Sequence, residues 1–517
     1  MSEVERATRR SPETKPDQRI VVRSPANGEL IGEAPVMSPE DVRDRVERAR
    51  RAQRSWALLS VEERCQRLRA VRDAVVDGAE ELVDVLCREA GKPRQEALMT
   101  EVLVLADLFT WICDRAPSTL APKRIDLHLF KHRRSTVHYR PRGVIGIISP
   151  WNFPLVIPFG DAFAALVTGS AVVIKPSEVT PLIALKAKEI FDRGGLDPDL
   201  LQIVTGYGET GAALIDAGIQ KLVFTGGVAT GKKVAAACGA RLIPCVMELG
   251  GKAPLIACHD ADLERTARAI VFGGFANSGQ VCISVERVYA HKDIHDALVE
   301  RVVELVRDLR QGDATRSVVD VGAIIFQPQI RVAEAHIEDA KTKGATVRTG
   351  GFKLDHPGQF FAPTILTGCD HSMSVMTEEI FGPIVPFMKV ASEEEAIRLA
   401  NDSHLGLNAY VFTKDRARGE SIAERVEAGS VLVNDVLANY GTEAPFGGVK
   451  ASGFGRVHGE DALRDMCEIR HVSVDRIPSL ERDPFWPPYS DAAYGWFKTA
   501  MNVMFKGSVS ERIRKLF

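Results

Sequence analysis

Apolar positions change their period several times along this chain, and each change marks a different kind of element. From Pro39 to about Cys113 they recur at helical spacing, as in Val61, Cys65, Leu68, Val71 and Val75, which predicts a layer of amphipathic helices. Residues 124–140, RIDLHLFKHRRSTVHYR, alternate apolar and polar side chains with β-branched ones, the pattern of strands at an edge or an interface. From 143 to 247 the short apolar runs VIGIIS, AVVIK, LQIV, KLVFTGG and LIPCVMEL are separated by segments of helix length. Such alternation predicts a doubly wound sheet of parallel strands, the usual platform for a nucleotide. A second block of alternating strands and helices runs from 250 to about 447. The fold class is therefore α/β, with a doubly wound parallel-sheet domain, a second α/β domain and a small β element.

The two ends have a different texture. Residues 1–18 are charged and contain proline, which predicts a loose arm. Near the other end, AAYGWFKTAMNVMFKG places Ala493, Trp496, Phe497, Ala500 and Met504 on one helical face, followed by Arg512, Arg514 and Lys515. An aromatic amphipathic helix with a basic end suits a membrane surface. Packing on its own or a partner subunit is the preferred reading, because an apolar stripe mostly marks a core-facing helix.

Length and composition narrow the class. A chain of 517 residues is too long for one ordinary core, so two or three domains are expected. With 45% hydrophobic and 26% charged residues the composition is that of a soluble globular protein. A net charge of −3 and a pI near 6.5 give no surplus of Lys and Arg for a nucleic-acid partner. Nine cysteines without a CxxC pair suggest neither a disulfide framework nor a zinc site, and no metal is expected. The polar start and the lack of a bilayer-length apolar run predict neither signal peptide nor transmembrane helix, hence a reducing cytoplasm.

Candidate chemistry lies between Glu248 and Cys282, in ELGGK at 248–252 and FANSGQVC at 275–282. A cysteine after a Gly-Gln-Val turn, with a carboxylate at the end of an apolar strand some thirty residues earlier, suits covalent catalysis: the thiol attacks and the carboxylate handles protons. Two glycine loops compete to cradle a cofactor diphosphate. TGYGETG at 205–211, with Gly208 at its centre, follows the strand LQIV but has no Asp or Glu near 226 to meet a ribose. FTGGVATG at 224–231 is the stronger candidate, since a strand enters a glycine turn that opens a helix, whose free N–H groups and dipole can meet the diphosphate. After the strand AVVIK, Lys175 and Glu178 stand at the sheet end; a carboxylate there accepts from ribose hydroxyls and repels a 2′-phosphate, favouring NAD over NADP.

These motifs carry a resemblance. PWNFP at 150–154, KPSE at 175–178, FTGG at 224–227, ELGGK at 248–252, GQVC at 279–282, EEIFGP at 378–383 and PFGG at 445–448 stand in the order and approximate spacing of the aldehyde dehydrogenase superfamily, from about residue 20 to about 480. The resemblance implies an arm at 1–18, a cofactor domain from 19–123 and 142–249 to which 451–466 returns, a bridging and oligomerisation element from 124–141 and 467–480, a catalytic domain at 250–450, and a tail at 481–517. It implies Cys282 as nucleophile, Glu248 as the base that hydrolyses the thioester, and Asn152 as an oxyanion donor. Around an NAD cofactor, with NADP as an alternative, it places Ser149, Pro150 and Trp151, then Lys175, Ser177 and Glu178. The glycine turns Gly208, Gly226, Gly227 and Gly231, the pair Leu249 and Gly250, and Glu379 and Phe381 complete the set. The family usually has Ser where this chain has Gly227, which leaves only backbone donors there.

The implied partner is a small-molecule aldehyde, and the implied assembly a homodimer or homotetramer. Relatives that acylate coenzyme A often lack the general base, and a binding or structural protein on the same fold would have lost the thiol; both Glu248 and Cys282 are present. Members acting on succinate semialdehyde present arginines in the helix after PWNFP and just before the nucleophile. Here those segments read LVIPFGDAF and GFANSGQVC, without Arg. Phe153, Val156, Phe159, Ile283, Leu437 and Tyr440 are expected instead to line an apolar tunnel for aliphatic or aromatic aldehydes.

Overall fold

A computed structural model describes residues 19–437, 441–477, 481–483 and 485–507. Several helices begin where a short polar side chain meets free amides: Ser38 and Glu63's partner Ser60 close reciprocal caps on Pro39–Trp56 and Val61–Asp77. The predicted stripe is buried there through Cys65, Leu68, Val71 and Val75.

The chain divides into two compact units, one of residues up to 121 with 139–469, the other of 122–138 with the residues from 470 onward. The larger unit holds two main sheets. The first has the order Gly453–Phe454, Cys245–Glu248, Lys221–Thr225, Val144–Ile148, Ala171–Lys175, Leu201–Ile203. Its strands are parallel except for Gly453–Phe454, which runs antiparallel against Cys245–Glu248. Helices cover both faces of parallel strands, which explains why Val144, Val172, Val173, Leu222 and Val223 are all fully buried. Chain direction across the sheet reverses between Val144–Ile148 and Lys221–Thr225. Their carboxyl ends are level: Ile148 pairs with Lys175 and with Phe224, and Thr225 with Glu248. Such a switch point leaves a crevice where ligands bind.

The second sheet has seven strands, in the order Thr346–Thr349, Thr364–Thr367, Ile384–Val390, Arg287–His291, Pro254–Ala257, Asn408–Phe412, Ser430–Val433. Only its first pair is antiparallel. These sheets are the two α/β layers that the alternating pattern predicts.

In the smaller unit Lys123–Ile125 pairs antiparallel with Arg133–Pro141, which is joined by Cys467–Asp475 in a three-stranded sheet. The helix Asp491–Phe505 starts at a Ser490 cap and has no buried residue; the Phe497 ring lies tilted against Phe485 at 4.9 Å, while Tyr494, Trp496 and Met501 are exposed. Of the tail face, Ala493, Phe497 and Ala500 are half-buried and Trp496 points to solvent. Arg512, Arg514 and Lys515 lie outside the described residues. Among the described residues no helix is long and apolar enough to cross a membrane.

Candidate active site

The helix Leu263–Phe275, capped by Asp262, stops at a tight turn, Ala276–Gly279, in which Asn277 and Ser278 take left-handed backbone angles (φ 48° and 57°). Non-glycine residues hold that conformation only when neighbours over-determine it, and here they do. Asn277 N–H donates to Glu96 Oε2 (2.8 Å), Asn277 Nδ2 to the carbonyls of Asn152 (3.0 Å) and Gln280 (3.2 Å), and Ser278 Oγ to the Gly322 carbonyl (3.0 Å). Gln280 adds Nε2 to the Asn277 carbonyl (2.8 Å) and accepts from Ile325 N–H (2.8 Å). Cys282 follows this clamped turn. Its carbonyl lies against Gly251, where a Cβ would stand 2.1 Å from the Cys282 oxygen, so the second glycine of ELGGK is required by close approach.

Glu248 ends the strand Cys245–Glu248 and is 4% exposed, with both carboxylate oxygens buried and unpartnered. Cys282 and Glu248 line one cavity of ≈ 150 Å³. Its wall includes Phe153, Val156, Ile283 and Leu437, four of the expected tunnel residues, together with Ile157, Val281 and Phe446. Phe159 does not belong there: it is fully buried and its ring packs 5.1 Å from Phe191, in a cluster where Phe109 and Phe163 stack at 3.7 Å. The helix Val156–Val167 is apolar on nearly every side, so hydrophobicity alone does not say which face meets the cavity. Tyr440 lies outside the described residues.

The cavity also holds polar groups that the motifs do not mark. Glu96, Asp161 and His458 line it, and no Lys or Arg does among the described residues. Burial pushes Asp161 and Glu96 each up to about 7 and holds His458 neutral, down to about 4. Burial, then the neighbouring Asp161, raises Glu248 well above the ordinary carboxyl range, while Arg456 opposes the shift. Burial, then Glu379 and Glu248, pushes the Cys282 thiol up to about 12, so the resting thiol is neutral. Asp161 is a lone carboxylate inside an apolar segment, a visible oddity in the sequence; Glu96 and His458 leave no local signal.

Asn152 is 3% exposed and does not line the cavity; its amide donates to the Gln280 carbonyl at 3.0 Å, in the turn before Cys282. Its neighbour Phe153 is pinned by the Lys92 ammonium, 3.6 Å from the ring centroid. Lys92 in turn pairs at 2.8 Å with Glu101, which accepts from the Leu155 and Val156 N–H groups (3.0 and 2.9 Å) and caps the helix Val156–Val167.

At the switch point the expected cofactor residues fall into one set and one outlier. Ser149, Pro150 and Trp151 follow the strand Val144–Ile148, and Gly226 and Gly227 follow Lys221–Thr225. The Ser149 hydroxyl is buried without a partner, and the helix Val228–Gly239 opens at Gly227 without a side-chain cap. A Cβ at Gly227 would meet nothing within 4 Å, so no close approach demands glycine there. At Gly231 a Cβ would stand 2.4 Å from Leu249, which packs these two together. Lys175 is buried and bonds Glu178 at 3.2 Å; Ser177 accepts from Val179 N–H at 3.2 Å. Orphan donors, a buried ammonium and a half-exposed carboxylate on this crevice fit a dinucleotide. Gly208 is not brought there. It starts the helix Gly208–Asp216 after the sheet's edge strand Leu201–Ile203, two strands away from Val144–Ile148.

A second buried network aims Glu379 and Phe381. Glu286 accepts from Lys252 Nζ (2.9 Å), from Ile380 N–H (3.0 and 3.1 Å) and from Phe381 N–H (2.8 Å). Glu379 accepts from Gly251 N–H at 2.8 Å and lies against Gly250, and burial pushes it up to about 8. Phe381, at φ 51°, meets Trp151 edge to face at 5.3 Å.

The chain matches the model of the aldehyde dehydrogenase family over residues 12–472. It is 37% identical over 500 residues to a 4,4′-diapolycopene aldehyde oxidase of Methylomonas, covering 96% of this chain and 93% of the relative. It is 38% identical over 482 residues to a protein of Mycolicibacterium smegmatis named as a succinate-semialdehyde dehydrogenase [NADP(+)], covering 93% and 92%. The crystal structure of succinate-semialdehyde dehydrogenase from Burkholderia pseudomallei superposes with a TM-score of 0.86 at 34% identity, covering 89% of this chain and 95% of that one.

Proposed function

The chain belongs to the aldehyde dehydrogenase family, oxidoreductases that act on aldehydes with NAD(P), and we propose that it oxidises neutral apolar aldehydes to acids through a covalent intermediate on Cys282. Ser149, Lys175, Glu178 and the first amides of the helix Val228–Gly239 would hold the cofactor, with Glu178 favouring NAD. When bound, NAD(P)+ accepts the hydride and its positive ring favours the thiolate. Sγ of Cys282, its proton released to solvent, bonds to the aldehyde carbon as the carbonyl π pair moves to oxygen. The charge that forms on oxygen meets the backbone N–H of Cys282, while Asn152, outside the cavity wall, holds the turn before Cys282 through the Gln280 carbonyl. After hydride loss the carbonyl carbon is a thioester. Glu248, facing the same cavity with no hydrogen bond of its own, takes a proton from water as the water oxygen attacks and the sulfur leaves with the C–S electron pair.

The observation that carries the substrate class is the wall around Cys282, apolar and acidic without a Lys or Arg among the described residues. Burying an unpaired substrate carboxylate costs several kcal/mol, whereas each methylene in an apolar tunnel contributes about 0.8 kcal/mol. An aldehyde panel tests this: medium-chain aliphatic or aromatic aldehydes should outrun succinate semialdehyde at equal concentration. Succinate semialdehyde is the second reading, supported by the names of the Mycolicibacterium and Burkholderia relatives; its ranking first would overturn the apolar class. Running the panel with and without coenzyme A separates hydrolysis from acyl transfer to that acceptor. A homodimer or homotetramer is supported by exposed Ile469, Val472 and Val474 on the strand Cys467–Asp475. Free cysteines throughout the described residues are in keeping with a cytoplasmic setting.

A further inference from the structure

Hydrolysis needs one carboxylate in the reactive cavity, and this cavity holds two more: Glu96, which accepts from Asn277 N–H, and Asp161, which does not. Asp161 projects from the helix Val156–Val167, is 6% exposed, and lines the same wall as Glu248 and Cys282. Among the described residues no donor hydrogen-bonds its carboxyl, and neither oxygen of Glu248 has a partner.

The surrounding charges are spent elsewhere. Lys221, from the strand Lys221–Thr225, is buried and gives its ammonium to Asp465 at 2.6 Å. Arg456 donates to the carbonyls of Gly448 (3.0 Å) and Gly455 (2.6 Å). Glu96 accepts from Asn277 N–H, and Glu101 is paired with Lys92. On the helix Gly459–Asp465, Glu460 and Asp461 bond Arg464. His458 is uncharged, with Nδ1 buried and unpartnered. Two carboxyl groups that share one cavity, with no cation bonded to either, repel when both are ionised. Such pairs lose their protons in two steps that belong to the pair.

We propose that Asp161 and Glu248, lining one cavity, share a single negative charge, so that Asp161, as a positioning residue, sets the pH at which Glu248 becomes a base. The inference rests on the reading of Glu248 as the deacylating base. The upward shift of Glu248 agrees with it, since Asp161 is the largest cause after burial; Asp161 itself is raised by burial, against the charge of Lys221. In deacylation the proton of the attacking water enters the pair, the thiolate of Cys282 departs, and the pair returns its extra proton to solvent.

The test is the pH profile of aldehyde-dependent NADH production, with the burst and the steady state recorded separately, for wild type, Asp161→Asn, Asp161→Glu and Glu248→Gln. Removing the Asp161 charge relieves the repulsion that raises Glu248. The acid limb of the steady-state rate in Asp161→Asn should therefore move to lower pH by roughly one unit, with the burst retained. Asp161→Glu, which keeps the charge, should hold the limb near its wild-type position. A structural role alone would change rates without moving the limb. An unmoved limb in Asp161→Asn, while Glu248→Gln still slows the steady state, overturns the pair but leaves Glu248 as base. Full steady-state turnover in Glu248→Gln overturns the underlying reading instead. If the amide variant does not fold, Asp161→Ser removes the same charge at smaller volume and is read the same way.

Discussion

Glu286→Gln is the substitution whose cost can be worked most directly from the structure. Lys252 and Glu286 form an ion pair at 2.9 Å with side chains 0% and 4% exposed. Burial lowers the pKa of Lys252, and Glu286 is the largest cause opposing that shift. Replacing Glu286 by Gln keeps an oxygen for the Ile380 and Phe381 amides but removes the counter-charge. Breaking a buried pair in this way costs about 3–5 kcal/mol. Lys252 can escape by losing its proton, at about 1.4 kcal/mol for each pH unit below an ordinary lysine value, so neutralising it near pH 7 costs a similar amount. The sign follows: the folded variant holds Lys252 with a depressed pKa while the unfolded chain holds it protonated. The unfolded state then binds more protons, and stability must rise with pH. Urea denaturation of wild type and Glu286→Gln at several pH values between neutral and mildly alkaline is the assay. The expected result is a deficit of about 3–5 kcal/mol near neutrality that shrinks by about 1.4 kcal/mol per pH unit. The double variant Lys252→Met/Glu286→Gln should recover part of it, because no charge remains buried. A deficit below about 1 kcal/mol, the range of an exposed pair, or one that does not change with pH would refute the reasoning.

Cys282→Ala should abolish NADH production while leaving cofactor binding intact, checked by turnover and by fluorescence titration with NADH. Glu248→Gln should release a burst of NADH and then slow, since hydride transfer precedes hydrolysis. In wild type the steady-state rate should fall as pH drops, because burial and Asp161 raise Glu248 and protonate it early; a flat acid limb would count against it. Glu178→Ser should raise the ratio of kcat/KM for NADP over NAD by removing the carboxylate that repels a 2′-phosphate; an unchanged ratio would show that Glu178 does not face the ribose.

The sequence by itself determined the class of fold and singled out the proposed reactive pair. Parallel strands covered on both faces must be apolar throughout, so VIGIIS, AVVIK and KLVFTGG declare themselves without knowledge of their neighbours. Cys282 and Glu248 are legible for a related reason: each sits in a short motif whose glycines answer to backbone geometry, as Gly251 does against the Cys282 carbonyl. Only the tertiary structure decided what stands around them. Glu96, Asp161 and His458 come from three separate segments and have no shared spacing; their significance lies in facing one cavity. The helix after PWNFP shows the same limit, for it is apolar almost all round, and the pattern cannot tell that Val156, Ile157 and Asp161 line the cavity while Phe159 packs inward. Likewise the two glycine loops differ little as strings. Their distinction is the order of strands: FTGGVATG follows a strand at the reversal point of the sheet, and TGYGETG follows one at its edge. Local sequence specifies backbone conformation and burial, but strand order and helix rotation are set by packing among distant segments, and those decide which side chains meet.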